Sequence, residues 1–497
     1  MDDAPTMPST SAVLPSRTPT VNHIATELLV QIFTMAEELD EWAGGFGTNG
    51  GSRASFGEVA SHVCRCWRFV ALGMPILWSS IRIDSYRLSP RVIMHLNRSG
   101  DNIPLKLELH LTESLFQCLT KHSCRQVAVK RPKYLADLVG LSSRWAALEV
   151  WSKIPWKSSY LKEIAQVVFI NGCLKDLRTL KLVATVTEDY TISSSTMSTL
   201  EWQEFLQNPS LRYLSLTGIA GCDIPFDFLA NHASNLVRLE LSTCPTASML
   251  RQFLQRTPRL EYLTLDASDM ISHELHGNHS SPGLFQVKMP FLHWFDFKPP
   301  SIVDCGLNVL QMIDAPNLQN LSLDIGNAIV TQLHVFLYCL CAYISEGRVK
   351  GAPTIRMPFL LNWRRGKPLY PELRYLSIRP LPKIYDEMSA KALTTRLRLL
   401  LRACKALVRL DWKLGDLGTP YKRVLLEVMQ PPLLCPQLKH LRVYGASGSN
   451  ICKIVRARLE QGVPLKVVEV DSRDWGSIND SSKRYLKEVL DMFNPYS

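Results

Sequence analysis

Apolar and polar residues alternate in a short phrase, L-x-x-L-x-L, that returns through most of the chain. Proline often stands just before it. Because successive side chains of a strand point to opposite faces, each phrase predicts a strand with its leucines turned inward and its intervening residues outward. The phrase occupies residues 177–182, 211–216, 236–241, 260–265, 292–297, 318–323, 373–378, 407–412, 438–443 and 465–470, and more loosely 145–150.

Several segments between these phrases have the apolar spacing of helices, at 247–257, 329–346, 389–404, 421–430 and 482–493. Strand, turn and helix therefore form a repeating unit. A single unit cannot bury its own apolar side, whereas stacked units share a continuous core. The pattern is typical of leucine-rich repeats and predicts an α/β fold over 142–497, an irregular solenoid whose curved parallel sheet carries helices on its outer face.

The region before the repeats has a helical pattern. Ile24, Leu28 and Ile32 are spaced four apart, with Leu29 and Phe33 beside them, which predicts an amphipathic helix. A glycine-rich stretch at 43–55 then predicts a flexible loop.

A second helix is predicted from an apolar spacing that Gly73 and Pro75 bring to an end. Its face consists of Val59, Val63, Cys66, Trp67 and Val70. Alternation then predicts strands at 81–83 and 105–111.

These two helices resemble an F-box. The stretch IATELLVQIF, 24–33, keeps Glu27 and the apolar residues of the family's first half, although Ala25 stands where the family has proline. VCRCWRFVALGMPILWSSI, 63–81, carries the family's Val-Cys-x-x-Trp, an alanine at Ala71 shortly after it, and the family's Pro-x-Leu-Trp. Phe33 and Val63 are 30 residues apart, a longer separation than is usual, because the glycine-rich loop lies between them. The segment 98–111 also looks like the one that follows the box in fungal F-box proteins with degenerate leucine-rich repeats.

The resemblance implies a non-catalytic receptor subunit of a Skp–cullin–F-box ubiquitin ligase. The box would dock on the Skp adaptor, and through it on a cullin ligase, while the repeats hold a protein substrate. The candidate adaptor-binding residues are Ile24, Leu28, Leu29, Ile32, Phe33, Val63, Trp67, Leu77 and Trp78. An amphipathic helix pair must first close on itself, so we expect about half of them, Trp67 first, to be internal.

Outward positions of the repeats form a ladder in which aromatic residues recur beside charges of both signs. Such a face suits protein recognition, although aromatic residues also favour strand surfaces for structural reasons. The candidate substrate-binding residues are Tyr213, Arg238, Tyr262, Trp294, Tyr375 and Arg409.

The resulting organisation has four parts. Residues 1–19, rich in Pro, Ser and Thr, are predicted to be a disordered tail. The F-box-like module covers 20–83, a linking helix and strand cover 84–141, and the repeats cover 142–497.

The composition and the absence of several sequence motifs limit the kinds of protein that we expect this chain to be. The 13 cysteines show no framework spacing and the start has no secretory signal, so we expect reduced thiols and a cytoplasmic or nuclear protein. The longest apolar run, 333–344, is too short to cross a membrane. No nucleophile elbow, phosphate-binding loop or dinucleotide fingerprint is present, and we expect no cofactor.

Weaker signals leave alternatives open. The cysteines of CRC, 64–66, lack a second ligand pair at zinc spacing. The histidines of HELHGNH, 273–279, could hold a metal, but they lie in a polar loop and do not form the His-Glu-x-x-His helix of metalloproteases, so we predict no metal. The net charge of +11 and the basic loop near 362–368 permit a nucleic-acid-binding solenoid, a reading that scattered charge does not favour. A repeat scaffold with a vestigial F-box remains the main alternative.

Overall fold

The structure is a computed structural model, and it describes part of the chain. The described residues are 24–42, 54–84, 89–111, 140–152, 176–184, 210–218, 233–242, 247–267, 286–299, 309–310, 312–325, 340–341, 344–345, 369–381, 395, 397–414 and 434–496. Predictions for the tail, the glycine-rich loop up to residue 53, the HELHGNH histidines, the basic loop near 362–368 and the helix at 421–430 lie outside them.

The chain divides into two compact units. The first comprises Met1–Ile83 with Arg87–Leu107, and the second comprises Asp84–Tyr86 with Glu108–Ser497. We call them the helical unit and the repeat unit.

The helical unit consists of four short helices and a 3-10 turn followed by strand segments. Its elements are α1 Thr26–Trp42, α2 Phe56–Val63, α3 Arg65–Leu72, a 3-10 turn Pro75–Trp78, β1 Ser80–Ile83, α4 Pro90–Ser99 and β2 Leu105–Leu111, of which the part up to Leu107 belongs to this unit. The predicted strands at 81–83 and 105–111 agree with β1 and β2.

The second predicted helix is broken into α2 and α3 at Cys64, contrary to the sequence prediction of one continuous helix. Cys64 adopts extended backbone angles, with φ −157° and ψ 174°, and its Sγ accepts the Trp67 N–H at 3.4 Å as the cap of α3. The break changes the face that α2 buries. Its buried side consists of Gly57, Ala60 and Ser61, whereas Val59 and Val63 are turned outward.

The helical unit also extends further than the predicted boundary at residue 83. Helix α4, which the sequence analysis placed in a linker, packs on the rest of this unit because Arg91 and His95 reach Glu58 of α2. The His95 ring lies 5.2 Å from the Trp78 ring in an edge-on contact. These polar and aromatic contacts involve residues far apart in sequence, so a periodicity analysis misses them.

The repeat unit is a mixed α/β structure with one long parallel sheet. Its described strands are β3 Trp145–Ser152, β4 Thr179–Ala184, β5 Tyr213–Thr217, β6 Arg238–Leu241, β7 Tyr262–Asp266, β8 Val287–Lys288, β9 Trp294–Lys298, β10 Ile313–Asp314, β11 Asn320–Asp324, β12 Tyr375–Leu381, β13 Arg409–Leu414, β14 His440–Tyr444, β15 Val467–Asp471 and β16 Met492–Tyr496. Its described helices are α5 Ala247–Gln255, α6 Gly448–Glu460, α7 Ser472–Trp475 and α8 Asp480–Val489.

Strands from β3 to β16 follow one another in chain order across this sheet, except that β8 and β10 pair with each other in a small separate sheet. Neighbouring strands pair in a register that places equivalent positions of the phrase opposite each other. For example, Leu214 lies opposite Leu239, and Leu239 lies opposite Leu263. The phrase leucines are therefore stacked and fully buried. The predicted α/β leucine-rich-repeat architecture is confirmed.

A recurring turn sets the start of many strands. In it, the N–H of a phrase's first leucine donates to the carbonyl of the residue three positions earlier, as in Leu292 to Met289 at 3.2 Å and Leu438 to Cys435 at 3.2 Å. That earlier residue is buried, and proline often follows it, as Pro290 and Pro436 do here. Proline suits this position because its fixed φ pre-forms the turn.

The last strand, β16, was not predicted. The sequence analysis continued the helix of 482–493 into Met492 and Phe493, but the helix ends at Val489. The phrase MFNPY lacks the L-x-L pattern and contains Pro495, which removes a backbone donor. Proline is tolerated because β16 is the edge of the sheet.

Candidate protein-binding surfaces

Exposed apolar side chains are concentrated on the helical unit. Ten of the fourteen exposed large apolar side chains among the described residues lie between residues 28 and 93. They are Leu28, Val30, Ile32, Met35, Val59, Val63, Phe69, Leu72, Ile76 and Ile93. An unpartnered set of this size on a small unit is typical of a protein-interaction surface.

Helix α1 carries two adjacent apolar stripes. Leu29 and Phe33 point into the unit and are fully buried, whereas Leu28, Ile32 and Met35, at positions i, i+4 and i+7, share an exposed face. One stripe closes the core of the unit, and the other remains available to a partner.

Helices α2, α3 and α4 border an open groove with a volume of about 790 Å³. Val59, Val63 and Leu72 contribute apolar surface to its lining, and Arg68 and Arg98 contribute charge. The exposure of Val59 and Val63 follows from the break at Cys64, since a straight helix would direct them to the same side as Trp67 and Val70.

The core of the helical unit contains four of the nine predicted adaptor contacts. Leu29, Phe33, Leu77 and Trp78 are fully buried against one another and their neighbours, so a partner cannot touch them while the unit is folded. Trp78 also donates its Nε1–H to the Ala71 carbonyl at 2.8 Å. These four are corrected to core residues, because their large side chains fill the interior of the folded unit.

The other five predicted contacts remain at least partly accessible. Leu28, Ile32 and Val63 are exposed, and Ile24 and Trp67 are partly buried against the core. The Trp67 ring lies 5.0 Å from the Phe33 ring, edge-on, which agrees with the expectation that Trp67 is mainly internal. The exposed Val59, Met35, Phe69, Leu72 and Ile76 were absent from the predicted set.

Glu58 connects helices α2 and α4 of the helical unit. Its carboxylate accepts hydrogen bonds from Arg91 and from the Ser55 N–H, the latter at 2.9 Å, and lies 3.2 Å from the His95 Nε2. Burial alone would raise the pKa of Glu58, but the hydrogen bonds with Arg91, His95 and Ser55 outweigh it and hold that pKa below 4.5.

The repeat unit presents the predicted ladder in register. Tyr213, Arg238, Tyr262 and Trp294 lie opposite one another on successive strands. Asn320, Tyr375, Arg409 and His440 continue this first row. A second row, two residues further along each strand, contains Ser215, Glu240, Thr264, Asp296, Ser322, Ser377, Asp411, Arg442 and Glu469. We call these two rows together the strand face.

One charged cluster of the strand face surrounds Glu240. Its carboxylate accepts the Tyr213 hydroxyl at 2.8 Å and the Arg238 guanidinium at 2.6 Å, and the guanidinium lies over the Tyr213 ring. Burial alone would raise the pKa of Glu240, but these bonds hold it below its ordinary value. The tyrosine pKa is raised by burial and by the same carboxylate.

A second cluster surrounds Asp411, which is fully buried although its position in the phrase predicted an outward side chain. Arg409 donates to it from Nε at 2.9 Å, Arg379 from Nη2 at 3.1 Å and Tyr375 from its hydroxyl at 3.0 Å. These longer side chains cover the aspartate, which explains its burial. Next to it, Glu469 forms an ion pair with Arg442, whose Nε lies 3.2 Å from the carboxylate.

Between these clusters lie Trp294 and Asp296, two residues apart on β9. The indole is 36% exposed, and its ring reaches across β11 to within 6.0 Å of the Tyr375 ring. Asp296 is half-buried. Burial raises its pKa, as does the charge of Asp324, while a hydrogen bond from Ser322 partly opposes the rise.

The described residues give little support for other site types. No group of three or more metal-ligating side chains occurs among them, and none of the helices in this part of the chain is long and apolar enough to cross a membrane. Cys64 serves as a helix cap, and Cys404 and Cys435 are buried, with burial raising the pKa of Cys404 to about 12.

Comparisons with known proteins found similarity in structure but not in sequence. No family model matches the sequence, and no curated protein matches it. The structure is similar to a chain in the crystal structure of the Rad7 and Elc1 complex in yeast, with 15% sequence identity, a TM-score of 0.38, and coverage of 94% of this chain and 92% of that one.

Proposed function

We propose that this chain is a non-catalytic substrate receptor of a Skp–cullin–F-box ubiquitin ligase, working in the cytoplasm or nucleus. The helical unit docks on a Skp-type adaptor, which joins the chain to a cullin ligase. The strand face holds a protein destined for ubiquitin-dependent degradation.

The observation that carries this proposal is the excess of exposed apolar side chains on the helical unit. Burying each large side chain of this kind gains roughly 1.5–3 kcal/mol. The exposed stripe of α1 and the outward valines of α2 provide several such side chains without disturbing the core. The F-box resemblance of 24–33 and 63–81 favours a Skp adaptor as the protein that covers them.

Co-purification of the full chain with a Skp-type adaptor tests the docking. Two variants place charge on separate exposed stripes: Leu28→Glu with Ile32→Glu on α1, and Val59→Glu with Val63→Glu on α2. We expect at least one of them to weaken adaptor binding by about 30-fold or more, because charged side chains would be buried in an apolar interface.

A matched control separates docking from folding. Leu459→Glu puts the same charge on an exposed apolar position of α6, in the repeat unit, and should leave adaptor binding unchanged. All variants should retain the wild-type unfolding midpoint. Wild-type chain that fails to bind the adaptor, or binding that survives both double substitutions, would favour a scaffold with a vestigial box.

A further inference from the structure

Several carboxylates and aromatic rings on the outward side of the sheet are matched to cations from this same chain. Glu240 is paired with Arg238, Asp411 with Arg409, and Glu469 with Arg442. Asp266, two residues beyond the second row on β7, is paired with Lys298 at 2.8 Å. The chain thus neutralises these acidic groups internally.

The aromatic residues show the same matching. A guanidinium lies over Tyr213 at 4.9 Å from the ring centroid, and another over Tyr375 at 5.4 Å. The Lys181 ammonium lies 4.7 Å from the centre of the Trp151 ring. Such cation–π contacts are favourable because the ring face carries negative potential.

Trp294 and Asp296 are not matched in this way. Among the described residues, no basic side chain forms an ion pair with Asp296 and none lies over the Trp294 ring. The charge of Arg379 acts on Asp296, but its guanidinium is already bonded to Asp411 and to the Ser377 hydroxyl. Asp324 and Glu240 add further negative potential around Asp296.

We infer that Trp294 and Asp296 form a binding site for a lysine or arginine side chain supplied by a protein partner. The cation would lie over the exposed indole and pair with the Asp296 carboxylate, reproducing the arrangement that Arg238 makes with Tyr213 and Glu240. This inference rests on the proposed function in taking the occupant to be a segment of the substrate protein.

Charge complementarity is the reason for choosing a basic segment. The whole chain has a net charge of +11, so its overall field repels cationic peptides. Preference for a basic side chain must therefore come from a local site. It should also weaken with salt, because the interaction is partly exposed and the Debye length falls to about 3 Å at 1 M.

An immobilised peptide library tests the inference directly. Acetylated and amidated decapeptides carry Lys, Arg, Asp, Glu or Leu at one fixed central position, with the other positions randomised. We expect full-length protein to be retained at least about threefold more on the Lys and Arg pools than on the Leu pool, which corresponds to the strength of one exposed cation–π contact. Asp296→Asn should abolish this preference, and Trp294→Ala should reduce it.

Two control substitutions make the test specific. Phe291→Ala removes an exposed aromatic residue that precedes β9, and Asp491→Asn removes an exposed carboxylate far along the chain; both should keep the preference. Equal retention on all pools, a preference for Asp or Glu, or a Lys/Arg preference that persists in Asp296→Asn would overturn the inference.

The result can be separated from that of the adaptor experiment. The double substitutions on α1 and α2 lie in the helical unit and should leave the peptide preference intact. Loss of the preference in a protein that still binds the adaptor refutes only the cation site, whereas a preference without adaptor binding refutes only the docking.

Discussion

The helical unit and the repeat unit distribute their large apolar side chains in opposite ways. In the repeat unit the phrase leucines are stacked in the interior, and the strand face is polar and charged. In the helical unit, small residues such as Gly57 and Ala60 occupy the buried side of α2, and its valines are exposed. A repeat array buries its apolar residues against neighbouring repeats, whereas the described residues of the helical unit leave ten large apolar side chains exposed. The apolar residues of the repeat unit therefore indicate its fold, whereas the exposed apolar residues of the helical unit indicate a surface for a partner.

Of the changes predicted here, truncation of Trp78 should cause the largest loss of stability, and this loss should be confined to the helical unit. Trp78→Ala would leave a cavity in the core of the helical unit and remove the hydrogen bond to Ala71, at a cost of about 3–5 kcal/mol. Urea unfolding followed by hydrogen exchange should show the loss confined to the helical unit. Phe69→Ala, at a side chain that is 78% exposed, should change stability by less than about 0.5 kcal/mol. Similar effects of the two substitutions would contradict the assignment of Trp78 to the core.

A second prediction compares two aspartates of the same row. Asp411→Asn removes the charge that holds Arg379 and Arg409, and we expect a loss of about 1–3 kcal/mol, since both arginines can partly return to water. Asp296→Asn should be neutral or slightly stabilising, because burial and Asp324 already disfavour its charge. Denaturant titrations at neutral pH measure both. A larger loss for Asp296→Asn would indicate an internal cation partner.

The smallest predicted effect concerns Glu58 and pH. The pKa of Glu58 in the folded state lies below its ordinary value of 4.5, so its carboxylate stabilises the folded helical unit fully at pH values above 4.5. This contribution is lost as the pH falls through the lower, folded-state pKa. Glu58→Gln should cost about 1 kcal/mol at pH 7, and its difference from wild type should shrink below pH 4.5. Stability measured between pH 7 and pH 3.5 tests this prediction. Glu460→Gln is the control, because it makes the same change of charge at an exposed glutamate. A difference independent of pH would contradict it.

The strands were predictable from sequence because their pattern is local and repeated. Each L-x-x-L-x-L phrase specifies which side chains face inward, and stacking in the same phase then places Tyr213, Arg238 and Tyr262 in one row. The burial of Asp411 was not predictable, because it depends on arginine side chains from its own and the preceding strand folding over it.

The helical unit was less predictable. Its apolar spacing continues smoothly through Cys64, so periodicity indicated one helix and one buried face. The cap that Cys64 forms with Trp67 interrupts that helix, and the direction of Val59 and Val63 changes as a result. Capping by a thiol has little sequence signal of its own, since cysteine is usually interpreted as a core or metal-binding residue.

The pairing of equivalent phrase positions across the sheet determines which changes of sequence the fold can accept. Paired positions on adjacent strands are separated by 24 residues between Arg238 and Tyr262 but by 55 between Asn320 and Tyr375, and both pairs meet in the same row. Added length between two strands thus leaves their pairing unchanged, whereas one added residue inside a strand would reverse every side chain after it. Outward residues can therefore be exchanged one strand at a time, and segments of different length between the strands are compatible with the same row.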